Sequence, residues 1–284
     1  MTVSLGRAIP TGNQLEDVMS QIIPRIATGT PGLDKMIKGG LLPGSIYTIA
    51  GPPGSGKTIL AVQFLIEGVK RGENVLLVAL DEHPCEMHEN LLPMFGEDFD
   101  RILVLDGMLE MKSYEKTPLR DVSITRHAEA FGKVFPEIPR SSDMINPELT
   151  VSAIQEMIKV IVRNESISRV VIDSVTSLKM FMMTANERIS FLQSFLRFLS
   201  DLSVTSMVTI QESDFPTVGA TDIEYIMSRG VIRLYRWLQN DGFVIGISID
   251  KFRGSDHDEN INRIKITPIG LQVLDKTRRA DRGR

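Results

Sequence analysis

The chain has 284 residues, 42% of them hydrophobic and 24% charged, with a net charge of −4 at pH 7. That balance suits an ordinary globular protein able to bury a core without staples, and it provides no overall basic field for nucleic acid. The single cysteine, Cys85, excludes a disulfide framework and a thiolate metal site. No apolar run approaches membrane-spanning length and the first residues lack a signal-peptide core, so a cytoplasmic location is expected.

Residues 1–12 carry no pattern. From Asn13, Leu15, Val18, Met19, Ile22 and Ile23 fall on one helical face until Pro24, so residues 1–24 are read as a segment with an amphipathic helix. Two glycine-rich turns follow, Thr28-Gly-Thr-Pro-Gly-Leu-Asp34 and Gly39-Gly-Leu-Leu-Pro-Gly44. They lead into a short strand, Ser45-Ile-Tyr-Thr-Ile-Ala50, and then into Gly51-Pro-Pro-Gly-Ser-Gly-Lys-Thr58. A helix through Ile59, Leu60, Val62, Gln63, Phe64 and Ile66 runs on towards Gly72. Val75–Leu80 is an unbroken apolar run, as in a parallel strand buried on both faces, and it delivers Asp81 and Glu82 to its end. Cys85, just beyond, is expected to be small and partly buried. Arg101–Asp106 is a similar strand. The stretch 107–147, with Pro118, Pro136, Pro139 and Pro147, is expected to hold short helical pieces and little order.

A helix is expected from about Glu148 to Asn164, then a strand Arg169–Asp173, a helix over 186–202 and a strand Ser206–Gln211. Val231–Leu238 and Phe243–Asp250 flank Asn240-Asp-Gly242, a hairpin signal. A last strand, Ile261–Thr267, precedes a polar tail at 276–284. Strands alternate with helices first and hairpins come last. The fold class is therefore α/β, a mostly parallel central sheet flanked by helices with a C-terminal antiparallel hairpin region, in one domain over residues 25–275.

The eight residues Gly51–Thr58 read G-x-x-x-x-G-K-T, a phosphate-binding loop between a strand and a helix. Glycines let the backbone close round phosphate oxygens, and successive N–H groups form an anion nest at a helix N-terminus. Gly51, Gly54, Ser55, Gly56, Lys57, Thr58 and Ile59 are the candidate contacts to ATP, with Lys57 reaching the β- and γ-phosphates and the Thr58 hydroxyl on Mg²⁺. Asp173, ending a later strand, is read as the acid that supports Mg²⁺; a helix N-cap is the alternative. Asp81 and Glu82 sit where ligands gather in a parallel sheet; Glu82 is the candidate base for water and Asp81 its support, unless the pair is a surface turn. Gln211, at another strand end, is a candidate γ-phosphate sensor.

The glycine turns, the loop, the acidic pair and Val170-Val-Ile-Asp-Ser-Val175 together resemble RecA-fold ATPases of the KaiC-like family, of the archaeal single-domain type. Lys251-Phe-Arg-Gly-Ser-Asp-His257 is similar to that family's Lys-x-Arg-Gly-[Ser/Thr]-x-His segment. The resemblance implies ATP hydrolysis in a homo-hexameric ring, where this segment reaches the nucleotide held by the next subunit. Lys251 and Arg253 would then neutralise the neighbour's phosphates, with Phe252, Ser255 and His257 at the same nucleotide and Thr267 near the adenine. Pro268 stands where the family often has an acid. The second domain and autophosphorylation segment of the family's clock protein have no counterpart, so a regulatory or motor ATPase with an unidentified protein partner is the reading. A RadA-paralogue-like recombination accessory is the alternative. Its single-strand-binding loops would be Ser174–Arg188, with Lys179 and Arg188 among Met180, Phe181, Met182 and Met183, and Glu212–Thr221, with no basic residue, which is a poor groove for nucleic acid. A small-molecule kinase would leave Lys251–His257 unexplained.

Overall fold

The computed structural model describes residues 24–107, 147–180, 184–212, 223–239 and 242–274. The apolar runs form strands β1 (Ile46–Gly51), β2 (Asn74–Ala79), β3 (Leu103–Asp106), β4 (Ile167–Asp173) and β5 (Thr205–Gln211). They are followed by β6 (Gly230–Gln239), β7 (Gly242–Phe252), β8 (Asn262–Thr267) and β9 (Gly270–Val273). All join one sheet in the order β3-β2-β4-β5-β1-β6-β7-β8-β9. The pairs from β3 to β6 are parallel, and those from β6 to β9 antiparallel. The expected α/β class with its antiparallel C-terminal extension is what the chain adopts.

The parallel strands are apolar throughout because helices cover both faces. On one face lie α1 (Leu33–Met36), α2 (Lys57–Lys70), α3 (Pro84–Phe95) and α4 (Glu97–Asp100), packing Leu60, Phe64, Met87 and Phe99 onto Ile49, Leu77 and Val171. On the other lie α5 (Pro147–Asn164), α6 (Val175–Met180), α7 (Ala185–Asp201) and α8 (Ile223–Met227), with Ile154, Ile158, Phe195 and Leu199 against Val78, Ile172 and Val208. α7 starts on a capping box, Thr184 with Glu187. α2 is buried on nearly every side, which explains its lack of a polar stripe.

A buried arginine holds α2 to β4. Arg169, only 1% exposed, makes a bidentate pair with Glu73 at 2.6 and 2.9 Å and donates to the carbonyls of Ala27 and Phe64, each at 2.9 Å. Its guanidinium also lies over the Phe64 ring, 4.7 Å from the centroid. Glu73 is delivered by the end of α2, where Glu73 N bonds Gly68 O and Gly72 N bonds Val69 O, each at 3.0 Å. That is a Schellman closure, and Gly72 supplies its left-handed residue at φ 77°.

Several elements differ from the sequence reading. α1, α3, α4, α8 and β9 were not anticipated. α3 begins with Pro84 after His83, whose Nδ1 accepts from Cys85 N at 3.2 Å, a start signal that Pro at the first helical position announces. Cys85 is consequently exposed in the first turn, not partly buried. The span after Asp173, read as a loop, is helical over Val175–Met180. The expected helix at residues 13–23, the pieces in 108–146 and the tail 276–284 lie outside the described residues. Replacing Arg169 by Met should lower folding stability by about 3 kcal/mol, the scale for breaking a buried ion pair. Urea denaturation should show a lower midpoint with an unchanged slope.

Candidate active site

The parallel register brings five strand ends to one edge. Gly51 is level with Gln211, and Ala79 is level with both Asp173 and Asp106. Past this carboxyl edge the phosphate loop closes between β1 and α2. Gly56 has φ 96°, and a Cβ there would press on Leu271 and Ile266 at 3.2 and 3.3 Å, so the loop and the β8–β9 hairpin need a residue without a side chain. At Gly51 a Cβ would sit 2.6 Å from Leu234 O. The Ser55 hydroxyl and the Lys57 ammonium both donate to Pro52 O, at 2.8 and 2.9 Å, which curls the loop round its own centre. Burial holds the Lys57 ammonium below its ordinary pKa, partly offset by the charges of Asp173, Asp81 and Glu212.

Asp173 takes the place between loop and sheet. Its Oδ2 accepts from the Thr58 hydroxyl at 2.8 Å, and its Oδ1 accepts from the Thr209 hydroxyl. The alternative N-cap role does not describe these contacts. Asp81 accepts from the hydroxyls of Ser174, at 2.5 Å, and Ser177. Glu82 is turned towards α3, where Asn90 Nδ2 donates to it at 2.7 Å. Among the described residues no cluster of three or more His, Cys, Asp and Glu is arranged to hold a metal. A hydroxyl and a carboxylate in contact are hard oxygen donors, and this sparse set fits Mg²⁺, which takes few protein ligands and shares the rest with phosphates and water.

Burial raises the pKa of Asp173, and the charge of Asp81 adds to this; the Thr209 and Thr58 hydroxyls and Lys57 act in the opposite sense. A carboxyl whose folded pKa lies above its unfolded value binds its proton more tightly when folded. Folding is therefore favoured as pH falls through that raised value, and the ionised carboxylate costs stability above it. Asp173→Asn should raise Tm of the nucleotide-free protein by about 2–4 °C near pH 8, with the gain shrinking as pH falls. Differential scanning calorimetry across pH reads this directly.

The remaining expected residues divide between two edges. Gln211 ends β5 beside Gly51, with its N–H on the Thr176 hydroxyl at 2.8 Å. Thr267 closes β8 next to the loop, its hydroxyl donating to Gly270 O at 2.7 Å. Ile59 is half-buried in the first turn of α2. By contrast β7 runs antiparallel to β6, so Phe252 pairs with Gly230, which is level with Tyr47 at the start of β1. Lys251, Arg253, Ser255 and His257 thus sit at the amino edge, roughly 13 Å of strand from their own Gly51. The Phe252 side chain is 5% exposed, in the core, and stacks on Tyr47 at 5.7 Å, which leaves its backbone as the part that can meet a nucleotide. It anchors the segment. Arg25 adds a second anchor, donating to the Ser255 hydroxyl at 3.0 Å and to Gly40 O at 3.1 Å. The Lys251 ammonium donates to the carbonyls of Tyr225 and Ile226. Burial and the charge of Arg253 lower its pKa.

Sequence reasoning missed several residues at the loop. Thr209 and Ser177 bond the two acids, and Arg236 lies with Nη1 3.3 Å from where a Gly54 Cβ would be, stacked on Phe243 at 3.9 Å. Glu212 follows β5 and holds both Tyr225 and Arg233. Only strand alternation could have placed Thr209, two residues before Gln211 and on the same face; no local pattern marks the others.

Comparison with known proteins gives the family. Residues 26–278 match the family described as KaiC ATPase. A UPF0273 protein of Thermotoga maritima is 29% identical over 266 residues, covering 89% of this chain and 96% of the relative. The circadian clock protein KaiC3 of Synechocystis is 27% identical over 260 residues, covering 89% of this chain and 47% of that longer protein. The crystal structure of a KaiC-like protein from the hyperthermophilic archaeon Pyrococcus horikoshii superimposes with a TM-score of 0.68 at 22% identity, over 89% of this chain and all of that one, a likeness of fold. With the phosphate loop, the strand-end acids and a profile match over nearly its whole length, this chain belongs to the KaiC-type family of ATPases with a RecA-like fold.

Proposed function

We propose that the protein is a Mg²⁺-dependent ATPase whose site is completed by a second copy of the chain, as one domain of a ring. The observation that carries this reading is the separation of the two groups of residues. Lys57, Thr58, Asp81, Glu82 and Asp173 gather at the carboxyl edge, whereas Lys251 and Arg253 stand at the amino edge of the same sheet. Neither cationic side chain spans the length of β1, so within one chain they cannot meet the phosphates that the loop would hold. Phosphates held in a neighbour's loop are the anionic partner their positions suit.

In this reading the loop N–H groups and Lys57 bind the β- and γ-phosphates. Thr58 and Asp173 would hold Mg²⁺, which supplies charge neutralisation on phosphate oxygens. Glu82, held by Asn90, takes a proton from the attacking water, and Asp81, held by two serine hydroxyls, keeps negative charge beside it. Arg253 from the neighbour neutralises charge on the transferring phosphoryl group, and His257 and Ser255 lie along the same nucleotide. Thr267 lies by the loop of its own chain, on the side for the base. No observation among the described residues favours the recombination-accessory reading over this one.

Three substitutions separate the roles. Lys57→Ala should abolish ATP binding in a folded protein. Glu82→Gln should keep binding but slow hydrolysis by about 10²–10⁴. Arg253→Ala should bind ATP as the parent does and hydrolyse it about 10³-fold more slowly. Mixing the Lys57→Ala and Arg253→Ala proteins should restore part of the activity, since an intact loop can then face an intact arginine. No restoration, together with a specific activity independent of protein concentration in a monomeric parent, would rule out completion by a neighbour.

A further inference from the structure

A closed circuit of polar contacts joins the two edges of the sheet. Glu212 follows β5, and its N–H donates to Gly51 O at 3.1 Å, at the root of the phosphate loop. Its carboxylate accepts from the Tyr225 hydroxyl at 2.6 Å through Oε1 and from Arg233 through Oε2. Tyr225 belongs to α8, and the carbonyls of Tyr225 and Ile226 hold the Lys251 ammonium, the second at 3.2 Å. Arg233 closes the circuit: its Nε donates to Asp250 at 2.5 Å, the residue before Lys251, and Ser248 Oγ holds the other Asp250 oxygen at 2.6 Å. The Arg233 guanidinium also lies over the Tyr225 ring, 5.2 Å from the centroid.

We propose that Glu212 and Tyr225 are positioning residues that couple the phosphate loop of one chain to Lys251 of the same chain, with α8 as the moving part. The proposal rests on the reading of Lys251 as a ligand for a neighbour's phosphates. The phenol of Tyr225 faces the carboxyl edge and its carbonyl faces the amino edge, so one residue touches both sites. Glu212 lies within electrostatic reach of Lys57. Phosphate anions entering the loop engage that ammonium and repel the Glu212 carboxylate, which loosens its hold on the Tyr225 hydroxyl. Lys251 is held by α8 carbonyls, and a small displacement of α8 releases the ammonium from them. Arg233, paired with Asp250 and Glu212 together, keeps β7 in register while this happens. Loop occupancy in one chain thereby decides whether its lysine is parked on its own helix or presented outward.

The test is the reactivity of the Lys251 amine. The full chain is treated with sulfo-N-hydroxysuccinimidyl acetate without nucleotide or with AMP-PNP-Mg²⁺, and acylation of the Lys251 peptide is followed by mass spectrometry. In the parent the rate should differ between the empty and the nucleotide-loaded protein by about fivefold or more, the lower range of typical coupling. Tyr225→Phe, which removes one hydroxyl, and Glu212→Gln, which removes the charge at constant size, should each abolish the difference while nucleotide affinity stays within about twofold. Tyr225→Phe should also lower kcat by about tenfold, the scale of one lost hydrogen bond at a positioning group. No difference in the parent overturns the proposal. So does a difference that survives in Tyr225→Phe, because it would arise from direct cover by a neighbour's nucleotide. The Lys57→Ala and Arg253→Ala mixing experiment reads the contact between chains alone, so failure of that reading and failure of this coupling are told apart.

Discussion

The geometry of the site depends on how α2 lies along β4, and two contacts at opposite ends of that pair decide it. At the base, Arg169 is clamped between Glu73 and the carbonyls of Phe64 and Ala27. At the top, the Thr58 hydroxyl meets Asp173. A buried guanidinium tolerates few positions, because every N–H left without a partner costs about 1–3 kcal/mol. Sliding α2 by one turn would move Phe64 O about 5.4 Å from its donor. The arginine therefore fixes the helix, and the helix presents Thr58 and Lys57 to the end of β4. Apolar packing of Leu60, Phe64 and Leu65 supplies the bulk of the attraction, but it is less directional than these bonds.

The same site keeps charges where burial disfavours them. Asp173 is pushed up and Lys57 pushed down, each chiefly by desolvation, and neither finds full compensation among the described residues. Hydroxyls carry much of the stabilisation: Thr58 and Thr209 on Asp173, Ser174 and Ser177 on Asp81. A hydroxyl can accept as well as donate, so these contacts can be re-formed when a cation engages the carboxylate.

The sheet also works as a spacer. Because β7 is antiparallel to the core strands, its end returns to the edge opposite the loop, and Tyr47, Phe252 and Arg25 pin it there. The glycine-rich turn before β1 serves this second edge: Met36 O receives Asp258 N at 2.8 Å, and Gly40 O shares Arg25 with Ser255. Two segments some 220 residues apart in the chain thus build one surface, and the glycines at 39 and 40 have a structural explanation independent of phosphate.

Much of the fold was legible in the residues alone. Runs such as Val75–Leu80 and Val170–Ile172 are too uniformly apolar to be half-exposed strands, and the spacing of Gly51–Thr58 between a strand and a helix leaves little freedom in what it binds. Asp173 and Asp81 could be placed because strand ends in a parallel sheet share an edge, a consequence of chain direction. The antiparallel return was visible in Asn240-Asp-Gly242. What the residues could not disclose depends on contacts between segments far apart. Arg169 read as one polar residue at the head of an apolar run, and only packing against Glu73 and Phe64 reveals its clamp. Phe252 sits within a segment matched to nucleotide contacts, yet its face of β7 points to Tyr47, a matter of register set by the bulge between Val231 and Ile232. Glu212, Tyr225 and Arg233 share no local spacing, and only the order of β5, β1, β6 and β7 across the sheet brings their side chains together. Local sequence determines conformation and which edge a residue reaches, because backbone sterics and periodicity act over a few residues. Tertiary structure alone decides which of those residues meet.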